Sequence, residues 1–187
     1  SLSDEEIATI ARWVDAGAPL GNPADLPPPR QFEAVDKWHM EAPDLIVTLP
    51  QDQIVPATGP DKWVDILVDA GLTEDRYIKS VETKPTKGFR VVHHSVQTMR
   101  DPDGTIDDSD SPRGVLINEY ALGKNADVFP EGAGRLMKAG TKINFNLHLH
   151  PYGQETSANV ELGLKFYPKG YVPKYVEISE GVGRNTD

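Results

Sequence analysis

The most regular helical pattern lies at the start of the chain. Ile7, Ile10, Ala11 and Val14 recur at spacings of three and four, with Trp13 beside them, forming one apolar stripe. Ser3 can cap that helix, and Glu6, three residues on, completes a capping box. Gly17 is a stop signal with Pro19 just beyond it. The spacing predicts a helix over residues 4–16. A lone helix of this length is marginal in water, so it needs something to pack against. Gly21-Asn22-Pro23 and Leu26-Pro27-Pro28-Pro29 then exclude helix and sheet interior and predict an extended spacer. After Arg30 the period changes. Short β-rich runs follow at Leu45–Leu49, Trp63–Val68, Tyr77–Val81, Phe89–Val96, Ile143–His150, Val160–Tyr167 and Tyr175–Ile178, separated by Gly, Pro and Asp. Strands at this density without crossover helices predict an all-β fold, an antiparallel β-sandwich or jelly roll with one N-terminal helix. Residues 101–142 read as long excursions with one short strand at Val115–Ile117. The expected plan is a helix in residues 1–20, a Pro-rich linker over 21–31 and a β-sandwich domain over 32–187.

Composition narrows the chemistry. With 187 residues, 38% apolar and 26% charged, the chain is globular rather than disordered. It has 19 basic against 29 acidic residues, a net charge of −10, which argues against a nucleic-acid partner. No apolar run is long enough for a membrane span. Cysteine is absent, which removes disulfides, thiolate metal sites, cysteine nucleophiles and a Cys-x-x-Cys-His haem attachment within this stretch.

Histidine is the informative residue. Four of the five histidines fall in two strand segments. In Ile143–His150 the alternation is strict: Ile143, Phe145, Leu147 and Leu149 share one face, and Asn144, Asn146, His148 and His150 share the other. His148 and His150 therefore lie on one side, about 7 Å apart along the strand. Imidazole is the commonest nitrogen ligand of transition metals. A plainer reading makes both of them surface residues of a half-exposed strand. His93 and His94 pose a geometric difficulty, because neighbours on a regular strand point to opposite faces. They can share an ion only at a strand end or bulge. A three-nitrogen site suits copper or zinc, not magnesium or calcium. His39 has no partner at metal-ligand spacing and reads as structural, as do Met40, Met99 and Met137. Asp101, Asp103, Asp107, Asp108 and Asp110 read as a solvated acidic loop, because no Glu closes a calcium loop at the EF-hand spacing. Ser95 lies in no nucleophile elbow.

Several segments carry a family resemblance. Ala42-Pro43-Asp44-Leu45-Ile46-Val47, Ile54-Val55-Pro56-Ala57-Thr58-Gly59, Val91-Val92-His93-His94, and Gly140-Thr141-Lys142-Ile143 leading to His148, Pro151, Gly153 and Leu162-Gly163-Leu164 together resemble the first copper domain of the copper type II, ascorbate-dependent monooxygenases. These are the peptidylglycine and dopamine hydroxylases, and the likeness is greatest to their bacterial relatives behind cytochrome c domains. It covers Trp38 to about Ile178. The resemblance implies that His93, His94 and His148 hold an electron-transfer copper, with His148 preferred over His150 by the spacing to Pro151 and Gly153. His150 stays as an additional ligand or a supporting group, and Asn146 as a group that orients the rings. The stretch from Leu2 to Pro19 resembles the last helix of a cytochrome c domain, which implies haem c upstream and a longer exported polypeptide, periplasmic or secreted.

The family needs a second copper domain, with His-x-His and Met, to hydroxylate C–H bonds. Only nine residues follow Ile178. The resemblance thus implies the electron-delivering half of an oxygen-dependent copper monooxygenase. Its partners would be a cytochrome c or ascorbate-like reductant and a separate second copper domain or subunit. No catalytic residue can be assigned. Two rivals remain. One is a non-catalytic docking subunit of a redox assembly, whose acidic surface steers a basic partner. The other is a zinc hydrolase on the same histidines, which needs a general base, with Glu155 and Glu161 nearby in sequence. Convergence of the rings of His93, His94 and His148 on one point separates the metal readings from the docking reading.

Overall fold

A computed structural model describes residues 2–29, 37–103 and 114–177. The chain divides into two compact units, residues 1–35 and 36–187.

In the first unit, α1 spans Asp4–Asp15. The capping box is complete: Ser3 Oγ accepts from the Glu6 N–H at 3.3 Å, and the Glu6 carboxylate accepts from the Ser3 N–H at 2.7 Å. Gly17, at φ 83°, takes the left-handed conformation that ends the helix. Ile7, Ile10, Trp13 and Val14 are each about half exposed along the apolar stripe. Pro23–Asp25 forms a single 3-10 turn within the expected spacer. No helix among the described residues is long and apolar enough to cross a membrane.

The second unit is a β-sandwich. Its strands are β1 (Leu45–Thr48), β2 (Gln53–Val55), β3 (Lys62–Asp69), β4 (Arg76–Lys87), β5 (Val92–Arg100), β6 (Val115–Ala121), β7 (Asp127–Val128), β8 (Ala133–Met137), β9 (Lys142–Leu149), β10 (Thr156–Phe166) and β11 (Tyr175–Val176). One sheet has the order β1-β10-β4-β8-β11, with β2 also on β10 and β7 also on β4; the other has the order β3-β9-β5-β6. All pairings are antiparallel except β11 on β8.

The long runs fall where alternation and β-branching predict them. Residues 101–142 differ from the expectation of long excursions: among their described residues lie β6, at seven residues longer than predicted, together with β7 and β8. Ala133-Gly134-Arg135-Leu136-Met137 carries little β-branching, so pairing with β4 rather than local preference makes it a strand. β2, equally unforeseen, rests on β10 in the same way. The run from Phe89 starts late, because residues 88–91 form a turn closed by the Val91 N–H donating to the Gly88 carbonyl at 2.9 Å. Asp107, Asp108 and Asp110 of the expected acidic loop, and Ile178, lie outside the described residues.

Between the sheets Ile143, Phe145, Leu147 and Leu149 of β9 meet Ile78, Val81, Leu162 and Leu164 in one fully buried cluster. Each such side chain contributes on the order of 1.5–3 kcal/mol of burial. A polar bridge crosses this layer. With its amide turned to satisfy both neighbours, buried Gln97 donates to Thr83 Oγ1 at 2.6 Å and accepts from Ser95 Oγ at 2.5 Å. On the far side of β10, a Cβ at Gly163 would lie 2.7 Å from the Trp38 ring, so glycine leaves the indole room to pack against the strand.

Asp44 secures the start of β1. Its carboxylate accepts from the Phe166 N–H at 2.9 Å and the Lys165 ammonium at 3.0 Å. Burial opposes the charged form, but these bonds and the Lys165 charge hold the carboxyl below its ordinary 3.8. A carboxyl whose pKa is lowered on folding stabilises above its unfolded value and loses that contribution as pH falls through the folded one. Thermal unfolding from pH 7 down to pH 3 is therefore expected to show a steeper acid loss in the wild type than in Asp44→Asn, whose stability is already lower at neutral pH. Parallel profiles would refute this.

Candidate metal centre

The centre forms where three strands lie side by side. In the register, His148 on β9 faces Trp63 on β3 and His94 on β5. Because Leu147 and Leu149 point into the core, His148 points outward, and its two cross-strand partners lie on the same outer face. The ladder between β5 and β9 breaks between Val92 and His94. Val92 pairs with inward Leu149, whereas His94 pairs with outward His148, so His93 is the extra residue of a bulge. This is the irregularity that two adjacent histidines need to share a face.

The three rings converge. Nδ1 of His93 lies 3.0 Å from Nδ1 of His148 and 3.2 Å from Nδ1 of His94. One nitrogen from each ring falls within 4.8 Å of the other two. The ring of His148 meets those of His93 and His94 edge-on, with centroids 4.8 and 4.9 Å away. His93 is exposed, His94 half-buried and His148 only 9% exposed, so the cluster opens to solvent on the His93 side.

The far side of His148 is also engaged. Its Nε2 lies 2.6 Å from Asp61 Oδ2, and His150 Nδ1 lies 2.6 Å from Asp61 Oδ1. A carboxylate only accepts, so Nε2 of His148 carries a proton, and in the neutral ring its Nδ1 presents a lone pair to the cluster. Hydrogen bonds from His148 and then His150 hold the Asp61 carboxyl below its ordinary range. The Trp63 indole stacks on the His148 ring at 4.0 Å between centroids and 8° between planes.

These contacts test whether the residues fit a metal ion. With Nδ1 of His148 an acceptor, His93 can donate to it, but His93 Nδ1 then has neither a lone pair to accept from His94 nor a second proton to give it. A cation among the nitrogens resolves that mismatch. Nitrogens 3.0 and 3.2 Å apart subtend roughly 95° and 105° at an ion bound at about 2.0–2.1 Å, the length of a zinc–imidazole bond. Burial first, then the neighbouring His148 and His93 rings, push the His94 pKa below its ordinary 6.5, which favours the neutral, ligating imidazole. The residues fit a transition-metal ion with three nitrogen ligands. No protein-family model and no curated protein matches this chain. The centre therefore has to be read from its own geometry.

His150 stands outside the three-ring group: its side chain is 64% exposed and its Nδ1 is engaged by Asp61. Asn146, expected to orient the rings, instead donates to Asp65 at 3.0 Å, alongside Asn144 at 3.2 Å. His39 takes a separate role. Its N–H and ring both meet buried Glu82 at 2.7 Å. Met137 is fully buried and Met99 packs against the core. Sequence reasoning missed Asp61 and the role of Trp63. The outward alternation of β3 was visible, but no local signal reveals that β3 pairs with β9 in the register that sets both residues beside His148.

Proposed function

We propose that residues 36–187 form a type II copper domain that relays electrons to a separate oxygen-activating centre, as in the copper monooxygenases that hydroxylate C–H bonds. The observation that carries this reading is the meeting of three Nδ1 atoms from two distant segments at 3.0 and 3.2 Å. Bound copper would supply one-electron chemistry by cycling between Cu(I) and Cu(II), which imidazole ligands accommodate. The chain's own contribution is threefold. His93, His94 and His148 offer neutral nitrogens. The β5 bulge aims two of them from one dipeptide. The open His93 side leaves access for a reductant.

Convergence supports the metal reading over the docking reading, for which the rings would be scattered. A zinc hydrolase needs a base beside the ion. Glu161 is engaged with Lys84 at 3.5 Å on the other sheet. The nearest carboxylate to the rings, Asp61, binds the side of His148 turned away from the cluster. Neither arrangement favours hydrolysis.

The test is copper titration of the purified chain followed by electron paramagnetic resonance. The expected result is one Cu(II) per chain with a type II signal split by imidazole nitrogens, bleached by ascorbate or a reduced cytochrome c. Binding far below stoichiometric, or a signal no reductant bleaches, overturns the proposal.

A further inference from the structure

His148 differs from the other two rings of the cluster. It is nearly buried, and both of its nitrogens are engaged. Among the described residues, no hydrogen bond reaches Nε2 of His93 or of His94, so only His148 is fixed from behind.

The fixing comes from one short stretch of β3 and the residue before it. An imidazole on a strand has a broad, two-fold preference about its second side-chain torsion, so packing alone does not decide which nitrogen faces a ligand. Asp61 decides it. Its Oδ2 takes the Nε2 proton of His148 at 2.6 Å, which sets both the tautomer and the in-plane rotation of the ring. Two residues on, Trp63 lies flat on the same ring and restricts rotation out of that plane. The second oxygen of Asp61 binds His150 Nδ1 at 2.6 Å, so the carboxylate is itself held from two directions.

We infer that Asp61 is the positioning residue of this centre, holding His148 with Nδ1 aimed at the metal, and that His150 braces Asp61 and is not a ligand. The inference rests on the proposed copper reading for its consequence, but not for its geometry. Loss of such a supporting partner typically costs 10- to 100-fold in metal affinity. The side chains concerned lie on the outer face and outside the hydrophobic core, so their replacement leaves the sandwich intact.

The experiment compares wild type, Asp61→Ala, Asp61→Asn, His150→Ala and His148→Ala in two measurements. The first is Cu(II) affinity with the electron paramagnetic resonance spectrum. Asp61→Ala is expected to bind about 10- to 100-fold more weakly, with altered hyperfine splitting. Asp61→Asn, whose carbonyl can still accept from Nε2, should restore the wild-type spectrum. His150→Ala should keep that spectrum, with a far smaller loss of affinity. Unchanged affinity and spectrum in Asp61→Ala overturn the inference and leave the copper reading standing. A loss in His150→Ala as large as in His148→Ala makes His150 a ligand and also overturns it. The second measurement needs no metal: long-range nitrogen–proton correlation of the histidine rings. A single Nε2–H tautomer of His148 that becomes mixed in Asp61→Ala supports the inference, and the same tautomer in both overturns it. If the wild type binds no copper, the copper reading fails, and this second measurement still decides the role of Asp61.

Discussion

Replacing His93 and His94 together by alanine is expected to abolish copper binding while leaving the fold in place. Both side chains are on the outer face at the bulge, and neither belongs to the buried cluster. Their removal takes two of three nitrogens from the cluster and leaves His148 alone with Asp61. Since disturbing even a supporting group costs 10- to 100-fold in affinity, losing two direct ligands should exceed that range. The check is a copper titration read by calorimetry, beside circular dichroism of the metal-free proteins. Retained stoichiometric binding with unchanged affinity in the double variant would place the metal elsewhere, and with it the electron-transfer role.

The largest expected effect on stability comes from Phe145→Ala. Phe145 is fully buried in β9, which hydrogen-bonds to β3 on one side and β5 on the other. Truncation removes most of an aromatic side chain between two sheets that cannot fully close the gap, which costs about 3–5 kcal/mol. In urea the unfolding midpoint should fall while the slope stays constant. Metal affinity should change far less than stability in protein that remains folded, because His148 projects from the opposite face of the same strand and His93 and His94 from the neighbouring β5. A loss below about 1 kcal/mol, well under what truncating a packed aromatic costs, would mean that this layer is not packed as described.

Much of the fold was legible because it rests on local pattern. The alternation of Ile143 to His150 assigned one face to the core and one to chemistry; the apolar set lies in the core, but Asn144, Asn146 and His148 on the other face are buried as well, because Asp65, Asp61 and Trp63 cover them. The Ser3–Glu6 capping box located α1. What stayed hidden depends on pairing across long sequence distances. β8 has weak strand preference of its own and is created by its neighbours β4 and β11. Asp61 lies 87 residues from His148, and only the β3–β9 register brings them together. The histidine cluster fell between these cases. Residue type marked the candidates, and the impossibility of a shared face on a regular strand marked where the ladder had to break.

That break has a wider consequence for β5. Upstream of it Val91 and Val92 are both buried, sealing one end of the interior; downstream, Ser95 and Gln97 line that interior while His94 turns away. The extra residue works as a phase shifter between two halves of what the primary structure presents as a single run. Each half can therefore drift in its own composition without dragging the other out of step. Deleting one residue there would rotate either the seal or the imidazole to the wrong side of the sheet.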